Sequence, residues 1–152
     1  MKKQKLIMEQ LDTKILLLKK VENIVIPPSG WVYSIRQALG MSLRQLGKRM
    51  GITPQSVKEM EEREQNETIS IKVLRQFGKS LNLKLIYGFI PLSGNLEDII
   101  EQRAYELAME IVNRTSISMK LEDQENNPAR IQKAIKEKAN EIKTEMPKYL
   151  WD

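Results

Sequence analysis

The sequence predicts a mainly α protein, with a bundle of short helices, one short β-strand and a helical C-terminal extension. Apolar residues recur at helical spacing over most of the chain, helix-capping sequences follow one another closely in its middle, and a single run alternates as a strand does. With 152 residues, 41% of them hydrophobic and 30% charged, the chain can form a domain with an appended piece and is too apolar to be disordered.

The first segment, residues 1–30, is predicted to be an N-terminal helix and a linker. Apolar positions fit one helical face over residues 4–20, and the β-prone run Ile24-Val25-Ile26 leads into a chain break at Pro27-Pro28-Ser29-Gly30. The longest apolar run, residues 15–18, is too short for a signal peptide or a membrane span. We therefore expect no membrane association and a cytoplasmic protein.

The second segment, residues 31–94, is predicted to hold four short helices followed by a strand. Ser42 with Gln45 three residues later forms a capping box, and Gly51 suits the left-handed C-cap of the same helix. Thr53 is placed as the N-cap of the next helix. The four predicted helices span residues 31–39, 42–50, 53–63 and 70–81.

The predicted strand covers residues 83–90, where apolar side chains alternate along the chain. A single strand leaves its backbone donors and acceptors unpaired and is not stable alone. Its partner is therefore residues 23–26, the same strand of a second subunit, or another protein. The second possibility gives the hypothesis of a homodimer formed through this strand.

The third segment, residues 95–152, is predicted to be a helical extension. A long helix over residues 96–119 and a second one that starts at Asn127 are separated by a polar break at residues 124–127, and we expect them to form an antiparallel hairpin. The end, Tyr149-Leu150-Trp151, is interpreted as an apolar clasp on the body, with a free docking tail as the alternative.

The formal net charge of +5 is unevenly distributed. Residues 1–94 hold 16 basic and 8 acidic side chains, whereas residues 95–152 hold 9 basic and 12 acidic ones. The basic residues 1–94 favour an anionic partner, and the acidic residues 95–152 suit a protein partner. The chain has no His and no Cys, which excludes Ser-His-Asp and Cys-His catalysis and thiolate zinc sites. We predict a protein that is not an enzyme and that uses no cofactor or metal.

Residues 41–61 hold the most informative pattern in the chain. Two helices of about nine residues are joined by the turn Gly51-Ile52-Thr53, and a turn this short forces them to cross steeply. This layout is the helix-turn-helix, whose second helix lies in the major groove of DNA. The residues spaced to form its small core are Leu46, Met50, Ile52, Val57 and Met60.

Polar side chains on these two helices are candidates for contacts with DNA. Gln55 and Ser56 occupy the first turn of the second helix, where Gln can pair with adenine. Glu59, one turn on, can accept from the amino group of cytosine, and Arg44 near the start of the preceding helix suits a phosphate. The predicted DNA-binding set is Arg44, Gln45, Thr53, Gln55, Ser56, Lys58 and Glu59.

The stretch resembles the Cro/cI-type helix-turn-helix domain, also called the xenobiotic response element family. The matching positions are Met41-Ser42, Leu46, Gly51-Ile52-Thr53, Val57, Met60 and Glu61. Three places depart from the family pattern, one of them Glu62-Arg63, which replaces a Gly after the acidic position. Leu43 replaces a Gln that usually contacts phosphate, for which Arg44 or Gln45 can compensate, and Gly47 replaces a small Ala.

A second resemblance extends over nearly the whole chain. The blocks at residues 27–31, 36–41, 85–91 and 119–124, with Leu150-Trp151 at the end, resemble the family called mobile mystery protein A. That family is similar to antitoxins and is encoded beside a protein with a Fic domain. The resemblance implies a DNA-binding, antitoxin-like protein that represses its own operon and has a Fic-domain toxin as a partner. Together with the hypothesis of a homodimer, it predicts a regulator that binds an operator in double-stranded DNA at the nucleoid.

An alternative function is a protein-interaction module whose helix-turn-helix no longer reads DNA. Leu43 favours it, because that residue replaces a polar family position. A group of carboxylates on the second helix also favours it, because carboxylates that face the groove repel phosphates. The members of this group are Glu59, Glu61, Glu62 and Glu64.

Overall fold

The computed structural model describes residues 2–121 and 127–152 and divides the chain into two compact units. One unit is residues 23–88, and the other combines the residues up to 22 with those from 89 onward. None of the described helices is long and apolar enough to cross a bilayer. The helices are α1 (Lys2–Lys19), α2 (Trp31–Ala38), α3 (Leu43–Met50), α4 (Pro54–Gln65), α5 (Ile71–Ser80), α6 (Leu96–Leu121), α7 (Pro128–Glu145) and a final 3₁₀ helix (Lys148–Trp151).

Three helices of the 23–88 unit, α3, α4 and α5, begin at the residues that the sequence predicts. The Ser42 hydroxyl accepts from the backbone N–H of Gln45 at 3.1 Å, and the Gln45 side chain accepts from the backbone N–H of Ser42 at 2.8 Å, which completes the capping box. The hydroxyls of Thr53 and Ser70 cap α4 and α5 by accepting from the backbone N–H groups of Ser56 and Val73, without the reciprocal bond. These local hydrogen bonds satisfy backbone donors that have no partner inside the helix.

The four helices α2, α3, α4 and α5 all end in the same way. After each one, a residue in the left-handed region turns the chain, and the next N–H donates to the carbonyl five residues back, which is the Schellman motif. The left-handed residues are Gly40, Gly51, Glu67 and Asn82. The hydrogen bonds run from Met41 to Arg36, Ile52 to Gly47, Thr68 to Arg63 and Leu83 to Gly78, at 2.8 to 3.0 Å.

A buried ion pair lies at the centre of the 23–88 unit. Arg36 of α2 and Glu61 of α4 are both buried, and the guanidinium donates to both carboxylate oxygens of Glu61 and, at 2.9 Å, to the carbonyl of Met41. The hydrogen bond with Glu61 raises the pKa of Arg36, against the opposing effect of burial. The surrounding apolar core consists of Val32, Leu46, Val57, Met60 and Phe77.

The other unit is built on the predicted antiparallel hairpin of α6 and α7. Lys143 in the last turn of α7 pairs with Glu97 at 3.3 Å and with Glu101 at 3.6 Å, both near the start of α6. Burial acts to lower the pKa of Lys143, but the two carboxylates outweigh it and the pKa is raised. The buried core of this unit is Ile100, Ala104, Leu107, Ala108, Ile135, Ile142 and Leu150.

Both ends of the chain pack onto this hairpin. The Asp12 carboxylate of α1 accepts from the first N–H of α6, on Leu96, at 2.9 Å. At the other end, Leu150 is buried in the core, and Arg103 holds the tail by donating to the carbonyls of Leu150 and Asp152. The clasp interpretation therefore holds through Leu150, while the flanking Trp151 stays 58% exposed.

The predicted β-strand at residues 83–90 is not seen. In the described part of the chain, the backbone of residues 84–90 makes no hydrogen bond, and neither does that of residues 24–26. A strand exists only when a neighbour pairs with it, and alternating apolar residues do not supply that neighbour. The segment is irregular, and most of its side chains are exposed, Ile86 by 71% and Phe89 by 87%.

Two sequence predictions fall on residues outside the described ranges. The polar break at residues 124–127 is described only at Asn127, whose side chain accepts from the N–H of Ala129 at 2.8 Å and caps α7 as predicted. The end of the block at residues 119–124 also lies outside the described residues.

We expect Glu61→Ala to lower the free energy of unfolding by about 3–5 kcal/mol, because the substitution leaves the Arg36 charge buried without its partner. Urea denaturation followed by circular dichroism measures this. The exposed neighbour Glu62→Ala is the control and should change stability by no more than about 0.5 kcal/mol.

The double variant Arg36→Met/Glu61→Leu should lie close to the wild type, since replacing a whole buried pair by apolar residues is often neutral. Equal stability of Glu61→Ala and Glu62→Ala would contradict the central role of the pair.

Candidate DNA-binding interface

The turn between α3 and α4 depends on a close approach of two backbones. A Cβ atom on Gly47 would lie 2.6 Å from the carbonyl oxygen of Ile52, a distance that real Cβ atoms do not show. Position 47 therefore has no room for side-chain atoms, and glycine at this position lets α4 leave α3 at once. The departure from the Ala of the family pattern thus has a steric reason in this chain.

The two faces of α4 differ in character. Val57, Met60 and Glu61 are buried on its inner face. At about 100° per residue, Gln55 and Glu62 point in nearly the same direction, opposite to that inner face. The exposed outer face, referred to below as the reading face, consists of Gln55, Lys58, Glu59 and Glu62.

Thr53 and Ser56 of the predicted DNA-binding set are engaged at the start of α4. The Thr53 hydroxyl accepts from the backbone N–H of Ser56 at 3.0 Å and donates to the Ser56 hydroxyl at 2.8 Å. Ser56 is half-buried beside the reading face. The structure therefore gives Thr53 a capping role, with Ser56 as its hydrogen-bond partner, and the contact of both residues with DNA stays a prediction.

Arg44 and Gln45 of the predicted set lie on the exposed side of α3. The Gln45 oxygen is committed to the capping box, which leaves its NH₂ group as the part able to donate to a phosphate. Arg44 is exposed and forms no ion pair within the described residues. Both residues are accessible, and their contact with phosphate also stays a prediction.

Exposed cations are concentrated on the helices before and after α4. The exposed side of α3 carries Arg44, Lys48 and Arg49, and neither α3 nor α5 contains an acidic residue. The cations of α5 are missing from the DNA-binding set predicted from the sequence, although their spacing of three and four residues places them on one side of the helix. They are Lys72, Arg75 and Lys79, all exposed.

The four carboxylates of α4 fall into two groups. Glu61 is bound to Arg36 inside the unit. The Glu64 carboxylate accepts from the backbone N–H of Trp31 at 2.7 Å and of Val32 at 2.8 Å, and so caps the start of α2. Only Glu59 and Glu62 remain on the reading face, so half of the charge that favoured the alternative function is explained by folding.

Comparison with known proteins agrees with this geometry. A family model described as helix-turn-helix matches residues 32–87, and this part of the chain is a helix-turn-helix domain of the Cro/cI type. No curated protein and no solved structure matches the chain. The narrower resemblance to mobile mystery protein A is not confirmed by these comparisons. The domain indicates a DNA-binding transcription regulator.

Proposed function

We propose that this protein is a sequence-specific transcription regulator that binds an operator and represses its own operon. The observation that carries the proposal is the distribution of exposed side chains around the helix-turn-helix. The reading face of α4 presents Gln55, which can pair with a base edge, while α3 and α5 together present six cations and no carboxylate. Cations near a reading helix are suited to contact the phosphates that border a groove.

The proposed active form is a homodimer. The exposed apolar segment at residues 83–90 supports it, because its free backbone groups can pair with the same segment of a second copy. Pairing would also cover side chains such as Ile86 and Phe89. A dimer would place two copies of α4 about 34 Å apart, which matches successive major-groove faces of an operator.

A Fic-domain toxin as a partner rests only on the resemblance to mobile mystery protein A. The acidic residues 95–152 are compatible with a protein partner, but they do not identify one. A reading frame with a Fic domain next to the gene of this protein would support the partnership. Its absence would leave the protein as a regulator without an antitoxin role.

The proposed activity is binding without catalysis, located in the cytoplasm at the nucleoid. The lack of any His or Cys in the sequence supports a role without acid–base or thiol chemistry. The location follows from the proposed DNA partner.

We expect Gln55→Ala to weaken binding to the operator by about 1–3 kcal/mol and to relax the preference for one base pair, because a base-edge contact is lost.

Arg44→Ala should weaken binding to all duplexes and reduce the slope of log K against log salt by about one, because a phosphate contact is lost. Gel shifts with DNA from upstream of the protein's own gene measure both effects.

The matched controls lie on α7 and are exposed, namely Gln132→Ala and Arg130→Ala. They remove the same chemical groups and should leave binding within experimental error. If Gln55→Ala keeps both affinity and preference, Gln55 does not read bases. If the wild type binds no upstream fragment, the protein-interaction alternative replaces this proposal.

For the homodimer, we expect the wild type to sediment as a dimer at micromolar concentration and the double variant Ile86→Lys/Phe89→Lys as a monomer. Both side chains are largely exposed, so the thermal stability of the single chain should hardly change. The control Leu16→Lys/Leu17→Lys, on exposed positions of α1, should remain dimeric. A monomeric wild type would rule out this mode of assembly.

A further inference from the structure

Two carboxylates of the reading face have no role in folding. The side chains of Glu59 and Glu62 are exposed, and neither carboxylate forms a hydrogen bond or an ion pair with the described residues. Around the axis of α4, Glu59 lies within about 40° of Gln55 and Glu62 within about 20°. Along the axis, the three side chains cover roughly 10 Å, the length of about three base pairs.

These carboxylates stand out against the charge of the neighbouring helices. The exposed sides of α3 and α5 carry six cations without a carboxylate, but the reading face carries two carboxylates and the single cation Lys58. The part of the unit placed to enter the groove is therefore its most acidic exposed part. Non-specific attraction to DNA alone would favour the opposite arrangement.

A carboxylate in the major groove can form hydrogen bonds with only some of the bases. An ionised carboxylate only accepts hydrogen bonds. Cytosine and adenine present amino donors in the major groove, whereas guanine and thymine present carbonyl acceptors, which a carboxylate repels. A carboxylate next to guanine or thymine therefore has no hydrogen-bond donor to face and is also repelled by the nearby phosphates. The affinity for such a sequence is lowered.

We propose that Glu59 and Glu62 determine operator choice by exclusion: each requires an amino-bearing base, cytosine or adenine, at the position it faces and rejects guanine and thymine there. This inference rests on the proposed function and identifies residues that determine sequence specificity at the same site. The cations of α3 and α5 supply affinity for any duplex, and the two carboxylates remove that affinity wherever the sequence is wrong.

The test compares full-length wild type with Glu59→Gln and Glu62→Gln, which keep the shape and remove the charge. Each protein selects duplexes from a random library, and its affinity is then measured by fluorescence anisotropy for the wild-type optimum and for random-sequence DNA. Glu67→Gln is the matched control, because it removes one exposed carboxylate from the loop after α4, off the reading face.

The expected result is that each reading-face variant binds random DNA about five- to tenfold more tightly while its affinity for the optimum stays the same or falls. In the selected sequences, one cytosine or adenine preference per half-site should disappear. The salt dependence should stay unchanged, because no phosphate contact is gained or lost.

Two outcomes would overturn the inference while leaving the proposed function intact. In the first, a variant gains the same factor on the optimum and on random DNA, as Glu67→Gln is expected to, which means a general charge effect. In the second, the selected sequences do not change. Failure of the wild type to enrich any sequence would instead overturn the proposed function and the inference together.

Discussion

The buried pair of Arg36 and Glu61 is the interaction on which the DNA-binding unit depends. It ties α2 to α4, and through the carbonyl of Met41 it also fixes the chain where α2 passes into α3. Two charges in an apolar core are tolerated only when each satisfies the other, so a position of α2 relative to α4 that separates the two charges is strongly destabilised. The direction of the reading face of α4 follows from that position.

Carboxylates have three separate uses along the single helix α4. Glu61 neutralises a buried cation, and Glu64 caps the start of α2. Glu59 and Glu62 remain on the outside, where they set the charge of the reading face. The acidic character of the helix is therefore compatible with DNA binding, because the charges that serve folding are separated from those that would meet DNA.

The starts and ends of the helices could be predicted because they are decided within a few residues. Ser42 with Gln45, Gly51 and Thr53 form the caps expected of them, through hydrogen bonds or backbone angles local to each site. The prediction of a strand at residues 83–90 was wrong because a strand needs hydrogen bonds to a neighbouring strand, and alternating apolar residues do not provide one. The cations of α5 were visible in the sequence but were not connected with the site, since only packing places α5 beside α3.

The sequence by itself determined the helical class, the helix-turn-helix at residues 41–61 and the residue types offered to DNA, because spacing and caps are local properties. The tertiary structure decided which carboxylates turn inward and that α1 joins α6 and α7 in one unit. Those outcomes depend on contacts between residues far apart in the chain. Their energies arise only when packing brings the groups together and removes water between them.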